Sequence, residues 1–139
     1  MLFIFDENYS KQLCDGIQIL EQGNHRSPVK ADVVHAVEFM KRSGASDTEL
    51  IAAASKREAI IFTHDKDFRR IKHYKELMIQ HEVGYVYFKT PREGGYHYWD
   101  MVTSFVNRWE ELKKKIKSDA LPYAYEVDKK GHLNRYDSF

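Results

Sequence analysis

A single cysteine, Cys14, among 139 residues excludes an intramolecular disulfide and a cysteine-rich zinc site. Seven histidines are scattered without a ligand spacing, so zinc is not expected from them either. An excess of charge of one sign is missing as well: 22 Lys and Arg stand against 21 Asp and Glu, a formal net charge of +1. That balance excludes a histone-like basic protein and a strongly acidic tail, while leaving room for local patches. Long apolar runs are absent. Leu2-Phe3-Ile4-Phe5 ends at Asp6, too short for the apolar stretch of a signal peptide or for a membrane helix. The expectation is a soluble, cytoplasmic protein with no membrane partner. No internal repeat or low-complexity tract divides the chain. What it does have is 42% hydrophobic residues beside 31% charged ones, enough apolar surface for a core and a length that suits one domain.

Short apolar runs alternate with helical periodicities. Residues 2–5 read as a strand buried on both faces, stopped by Asp6-Glu7-Asn8. Ser10 caps an expected helix carrying Leu13, Cys14, Ile17 and Leu20 at helical spacing, which Gly23 ends. A polar stretch with Pro28 reads as a loop, and Val33, Val34 and Val37 suggest a second strand within 32–40. Ser46-Asp47-Thr48-Glu49 has the form of a capping box and opens a helix with Leu50, Ile51, Ala53 and Ala54. Residues 59–62 form a third strand candidate, 69–77 a short basic helix, and 83–89 a fourth strand rich in Tyr, Val and Phe. Tyr98, Val102, Phe105, Trp109, Leu112 and Ile116 alternate 4 and 3 apart and predict a long helix over 97–117. Residues 123–127 and 133–136, joined by Asp128-Lys129-Lys130-Gly131, resemble a hairpin. Strands alternating with helices imply an α/β fold, with a mainly parallel sheet of about four strands covered on both faces.

In such a sheet, ligands bind in the crevice beyond the carboxyl ends of the strands. Asp6 and Asp65 each follow a buried apolar run, and Asp47 sits in the first turn of a helix entering from the same side. Three acids from separate parts of the chain should therefore meet at one edge, with Glu7 and Asp67 close by. Clustered carboxylates raise one another's pKa and call for compensation, most simply a hard divalent cation. Mg²⁺ or Mn²⁺ held by such acids serves in-line phosphodiester displacement. Each acid alone also has a structural explanation: Asp47 as a charge favoured by the helix dipole, Glu49 as a capping partner, Asp6 or Asp65 as a turn residue.

The segments Leu2-Phe3-Ile4-Phe5-Asp6-Glu7-Asn8, Ser46-Asp47-Thr48-Glu49-Leu50-Ile51-Ala52-Ala53-Ala54 and Ile60-Ile61-Phe62-Thr63-His64-Asp65-Lys66-Asp67-Phe68, in this order and spacing, resemble the PIN-like domains. The likeness is to the short variety whose first strand ends in Asp-Glu-Asn, and also to the VapC-type toxin ribonucleases. It covers about residues 1–90. It implies a three-layer α/β/α sandwich, with 1–120 as a PIN-like nuclease domain and 121–139 as a hairpin-like extension of that domain. The implied activity is a Mg²⁺- or Mn²⁺-dependent endoribonuclease acting on RNA. A toxin role would add a cognate antitoxin as partner, and a homodimer is compatible with it. Carried across by motif, Asp6, Asp47 and Asp65 hold metal, Asp67 is a further catalytic acid and Thr63 a nearby hydroxyl. Larger members supply another acid, usually Glu, in a segment that is shortened here; Glu38 is its stand-in, and Glu7 is a further candidate.

The remaining signals are less specific. His64, beside the expected site, either contacts phosphate or alternates away from it with Asp65, the second being slightly favoured. Arg69, Arg70 and Lys72 would grip an RNA backbone, or else form a solvated helix face. Lys113, Lys114 and Lys115 read as a solvated helix end. Tyr85, Tyr87, Tyr96, Tyr98, Tyr123 and Tyr125 are candidates for stacking on bases, though alternation within Tyr85 and Tyr87 and within Tyr123 and Tyr125 more simply describes one side of a strand; Trp99 and Trp109 are expected in the core. Two other classes compete with the nuclease: a catalytically silent binding module, and a phosphoacceptor receiver domain. The lack of a clear lysine after a later strand counts against the receiver domain.

Overall fold

The computed structural model describes residues 1–65, 71–89, 97–128 and 131–135. Its elements in chain order are β1 (Leu2–Phe5), α1 (Lys11–Gly23), β2 (Asp32–His35), α2 (Ala36–Met40), α3 (Asp47–Lys56), β3 (Ile60–Thr63), α4 (Lys72–Gln80), β4 (Gly84–Phe88), α5 (Tyr98–Ser118), β5 (Ala124–Val127) and β6 (Leu133–Arg135). One six-stranded sheet runs in the order β2-β1-β3-β4-β5-β6. All neighbours are parallel except the antiparallel pair β5 and β6. The sheet is thus larger than the four strands expected. The tail is the expected hairpin, but its first strand joins β4 directly, with Val86 opposite Tyr125. Gly84 permits the approach of that strand, because a Cβ there would lie 2.7 Å from the Tyr123 ring.

Helices cover both faces. On one, α1 and α5 bury Leu13, Cys14, Ile17, Phe105, Trp109, Leu112 and Ile116 against Phe3, Phe5, Phe62 and Phe88 of the sheet. Aromatic rings knit this layer together: Phe105 stacks on Phe88 at 4.2 Å and on Phe5 at 5.2 Å, and Trp109 meets Phe3 edge-on at 5.4 Å. On the other face Ala36, Leu50, Ile51, Ala54 and Met78 of α2, α3 and α4 pack on Ile4, Ile61, Tyr85 and Tyr87. Alternate residues of one strand thereby serve two cores, which is why these strands read as continuous apolar runs. Burial also pushes the Cys14 thiol up to about 12, which leaves it inert as a nucleophile.

Four local expectations are corrected. Only 32–35 of the stretch 32–40 is strand; α2 begins at Ala36 because the buried His35 caps it. His35 Nδ1 accepts from Val37 N–H at 3.2 Å, so its Nε2 carries the proton and donates to the Tyr9 carbonyl at 2.8 Å. The capping box at Ser46 is half made. Ser46 Oγ accepts from Glu49 N–H at 3.2 Å, while the Glu49 carboxylate pairs with Arg42 instead. Leu20 and Trp99 point outward, 63% and 74% exposed. Trp99 falls one residue off the stripe that α5 buries, and in α1 the buried position is taken by Glu21.

Glu21 is there for Lys113, the fourth correction. Lys113 is not solvated but fully buried, its Nζ 2.5 Å from Glu21 Oε1 and 2.7 Å from Glu110 Oε1. It also donates to Val29 O at 2.9 Å and Ser27 Oγ at 3.1 Å. Trp109 Nε1 and Ala31 N–H donate to the same Glu21 carboxylate at 2.7 and 3.1 Å. Lys114 and Lys115 remain exposed, as expected of a helix end. This network fastens α5 to α1 and to the segment entering β2.

Candidate functional site

The crevice lies where the topology puts it. The connection leaving β1 runs through α1 on one face, and that leaving β3 through α4 on the other, so the chain parts between the carboxyl ends of β1 and β3. Asp6 follows β1 directly, and Asp65 follows β3 after His64. Asp6 N–H donates to Phe62 O at 3.0 Å, which continues the β1–β3 ladder to the edge of the sheet.

A cavity of about 170 Å³ opens there, lined by Asp6, Glu7, Asn8, Ala36, Met40, Ala45, Asp47, Leu50 and Asp65. Asp47 reaches it as the first residue of α3. Asp6 is 5% exposed, whereas Asp47 and Asp65 are half-buried. Burial pushes the Asp6 carboxyl above its ordinary value, and the Asp65 charge adds to this. The Thr63 hydroxyl, the proximity of His64 and Asn8 N–H (donating to Asp6 Oδ1 at 3.0 Å) act in the opposite direction.

Thr63, wholly buried, links the two strand-end acids. Its hydroxyl donates to the Asp6 carboxylate, and its Oγ1 accepts from Asp65 N–H at 2.9 Å. Thr63→Val keeps the shape and removes both bonds, so Asp65 N–H loses this acceptor and the Asp6 carboxylate keeps Asn8 N–H. Such a loss costs about 1–3 kcal/mol, so urea unfolding should place Thr63→Val well below the parent protein and Thr63→Ser close to it. Equal midpoints for Val and parent would contradict the bridging role.

The other candidates fall elsewhere. Glu38 lies in α2, does not line the cavity, and pairs with Lys11 at 2.8 Å. That pair, together with Asp15, holds the Lys11 ammonium up at about 12. Glu7 lines the cavity but accepts from Gly44 N–H through Oε1 at 2.6 Å. His64 is not among the lining residues; its ring stacks on Tyr9 at 4.7 Å, and its Nε2 is buried without a hydrogen-bond partner among the described residues. Lys72, exposed at the start of α4, stands 3.8 Å from Glu76. Asp67, Arg69, Arg70 and Tyr96 lie outside the described residues. Asn8 and Met40 line the cavity without having been singled out from the sequence; Asn8 alone carried a signal, as the third residue of the Asp-Glu-Asn turn.

A second, more open depression of about 590 Å³ lies at the amino ends of the strands, with acids and bases intermixed (Asp32, Glu58 and Asp119 beside Arg57 and Lys117). It lacks the one-signed character of the first. The carboxylates at the first site are hard oxygen donors, a set that fits Mg²⁺ or Mn²⁺ rather than a softer ion. A cation would relieve the raised Asp6. Among the described residues these side chains are spread around the cavity, and no three His, Cys, Asp or Glu are grouped closely enough to hold one ion.

A family model described as a PIN like domain matches residues 1–90, well over half of the chain. No curated protein and no solved structure matches it.

Proposed function

The chain belongs to the PIN-like domain family, and from that premise we propose that it is a Mg²⁺- or Mn²⁺-dependent endoribonuclease. The observation that supports this most is the presence of Asp6, Asp47 and Asp65 around one cavity at the sheet's switch point. These three would hold the ion, with Asp67 as a further acid. A bound divalent cation supplies Lewis acidity toward water and toward the phosphate oxygens. The chain's own part is to orient Asp6 through Thr63 and Asn8 N–H, which favour its charged form against the effect of burial, and to bring Asp47 to the same cavity. The toxin of a toxin–antitoxin pair, with a cognate antitoxin as protein partner, is the finer form of this reading.

The test is cleavage of single-stranded RNA by nuclease-free protein. Cleavage should appear with Mg²⁺ or Mn²⁺ and vanish with EDTA; cleavage indifferent to chelation, or none with any divalent ion, would overturn the proposal. The second reading is a catalytically silent module that holds RNA or protein, favoured by the spread of the carboxylates noted above. It expects RNA binding that ignores the divalent ion.

A separate expectation concerns the basic residues after β3. If Arg69, Arg70 and Lys72 grip phosphates, neutralising all three should weaken RNA binding and flatten its logarithmic salt dependence by roughly two, at about 0.7 per contact on a single strand. Turnover at saturating RNA should change far less. The exposed Lys114, Lys115 and Lys117 are the matched control; Lys113 cannot serve, being buried. Equal slopes for the two sets would remove this RNA path.

A further inference from the structure

Glu7 is the acid next to Asp6, and a sequence reading takes it for a spare ligand. Its geometry assigns it other work. Asp6 is fixed to β3 through Phe62 O, and Asn8 N–H closes back onto the Asp6 carboxylate, so the turn that carries Glu7 is pinned on both sides. From there Glu7 Oε1 accepts from Gly44 N–H at 2.6 Å, a charge-assisted bond between groups 37 residues apart. Gly44 belongs to the loop between α2 and α3 and has a φ of +75°, a conformation that residues with a Cβ disfavour. Three residues later the same loop delivers Asp47 to the cavity, after Ser46 has capped α3. On the far side of the loop, Arg42 pairs with Glu49 of α3.

We propose that Glu7 is a positioning residue: its carboxylate clamps the Gly44 loop to the end of β1 and so sets where Asp47 stands opposite Asp6 and Asp65. This rests on the nuclease reading for its purpose, though the clamp itself does not. It separates two neighbours that look alike in sequence, Asp6 facing the ion and Glu7 holding the opposite wall. The chemistry distinguishes an acceptor from a charge. A clamp needs only an oxygen that accepts from Gly44 N–H, which Gln retains, whereas a metal ligand needs the carboxylate.

Three variants test it: Glu7→Gln, Glu7→Ala and Gly44→Ala. Glu7 is exposed and a Cβ on Gly44 meets nothing within 4 Å, so circular dichroism should show all three folded. Amide exchange of the metal-free proteins should show the Gly44 N–H and its neighbours faster in Glu7→Ala and close to parent in Glu7→Gln. Mn²⁺ titration should find binding weakened roughly tenfold or more in Glu7→Ala, as outer-shell losses do, and within about twofold of parent in Glu7→Gln. Gly44→Ala, which alters no carboxylate, should weaken Mn²⁺ binding in the same direction by straining the loop. Unchanged exchange in Glu7→Ala would overturn the clamp, and equal Mn²⁺ losses for Gln and Ala would make Glu7 a ligand. A parent protein that binds no Mn²⁺ would defeat the nuclease reading and the purpose assigned to Glu7, leaving the exchange data to decide whether the clamp exists.

Discussion

Asp6→Asn and Asp65→Asn should each abolish divalent-ion-dependent RNA cleavage while leaving the fold intact. The expected loss exceeds the roughly 10–100-fold that outer-shell changes cost at metal sites, because these side chains would touch the ion itself. The two variants should differ in stability. Asp6 is buried and its pKa is raised. An acid of that kind stabilises the fold fully only below its unfolded value of about 3.8, and that contribution is lost as pH rises through the folded value. At neutral pH, well above the unfolded value, burial of Asp6 is therefore a burden, and Asp6→Asn should melt higher than the metal-free parent, by roughly 2–4 °C for each kcal/mol relieved in a chain of this size. The advantage should shrink on acidification and disappear below about pH 4, where Asp6 is protonated in both states. Addition of Mn²⁺ should reverse the order, since only the parent gains from binding. Full activity in either variant, or an Asp6→Asn protein less stable than the parent at pH 7, would contradict these roles.

Lys113→Met should be the most damaging single change away from the cavity. It leaves Glu21 buried, with its charge facing only Trp109 Nε1 and Ala31 N–H. Breaking one partner of a buried pair costs about 3–5 kcal/mol, against less than about 0.5 kcal/mol for exposed changes such as Lys114→Met or Lys115→Met. Replacing Glu21 and Lys113 together by apolar residues of similar volume should recover much of the loss, because no buried charge then remains unpaired; Glu110, which also loses Lys113, is partly exposed and still accepts from Asn24 and Ser27. Urea denaturation of the four proteins reads this directly. The network has a pH signature too. Burial would raise Glu21, but Lys113, Trp109 and Ala31 N–H outweigh it and hold the carboxyl below its ordinary value. Its stabilisation is thus present above about pH 4.5 and is lost as pH falls through the lower, folded value. Similar midpoints for Lys113→Met and Lys114→Met would show that the buried pair does not fasten α5.

The contrast between these two sites shows what sequence can and cannot carry. Ile60-Ile61-Phe62 and Leu2-Phe3-Ile4-Phe5 were legible as central strands because burial on both faces leaves an unbroken apolar run, and the acids that end them had to emerge at the same edge of a parallel sheet. The placement of Asp6, Asp47 and Asp65 around one cavity follows from that order of elements. Side-chain direction was not legible. Lys113 looks like its neighbours in a run of three, and its burial depends on Glu21, 92 residues away. Glu7 and Glu38 both looked like spare ligands, yet one reaches Gly44 and the other Lys11. The start of α2 was hidden for a related reason: its cap is His35, whose capping depends on a tautomer set by the Tyr9 carbonyl across the fold. The hairpin was visible in the tail, but its union with β4 was not, since alternation fixes which face a residue takes and not which strand lies beside it.

The central claim is that Asp6, Asp47 and Asp65 share a divalent ion, and crystals soaked in Mn²⁺ test it most directly. Anomalous scattering should place manganese in the cavity between the ends of β1 and β3, with carboxylate oxygens of all three acids at coordination distance. Manganese absent from that cavity at saturating concentration, or held there without Asp6 and Asp65, would contradict it.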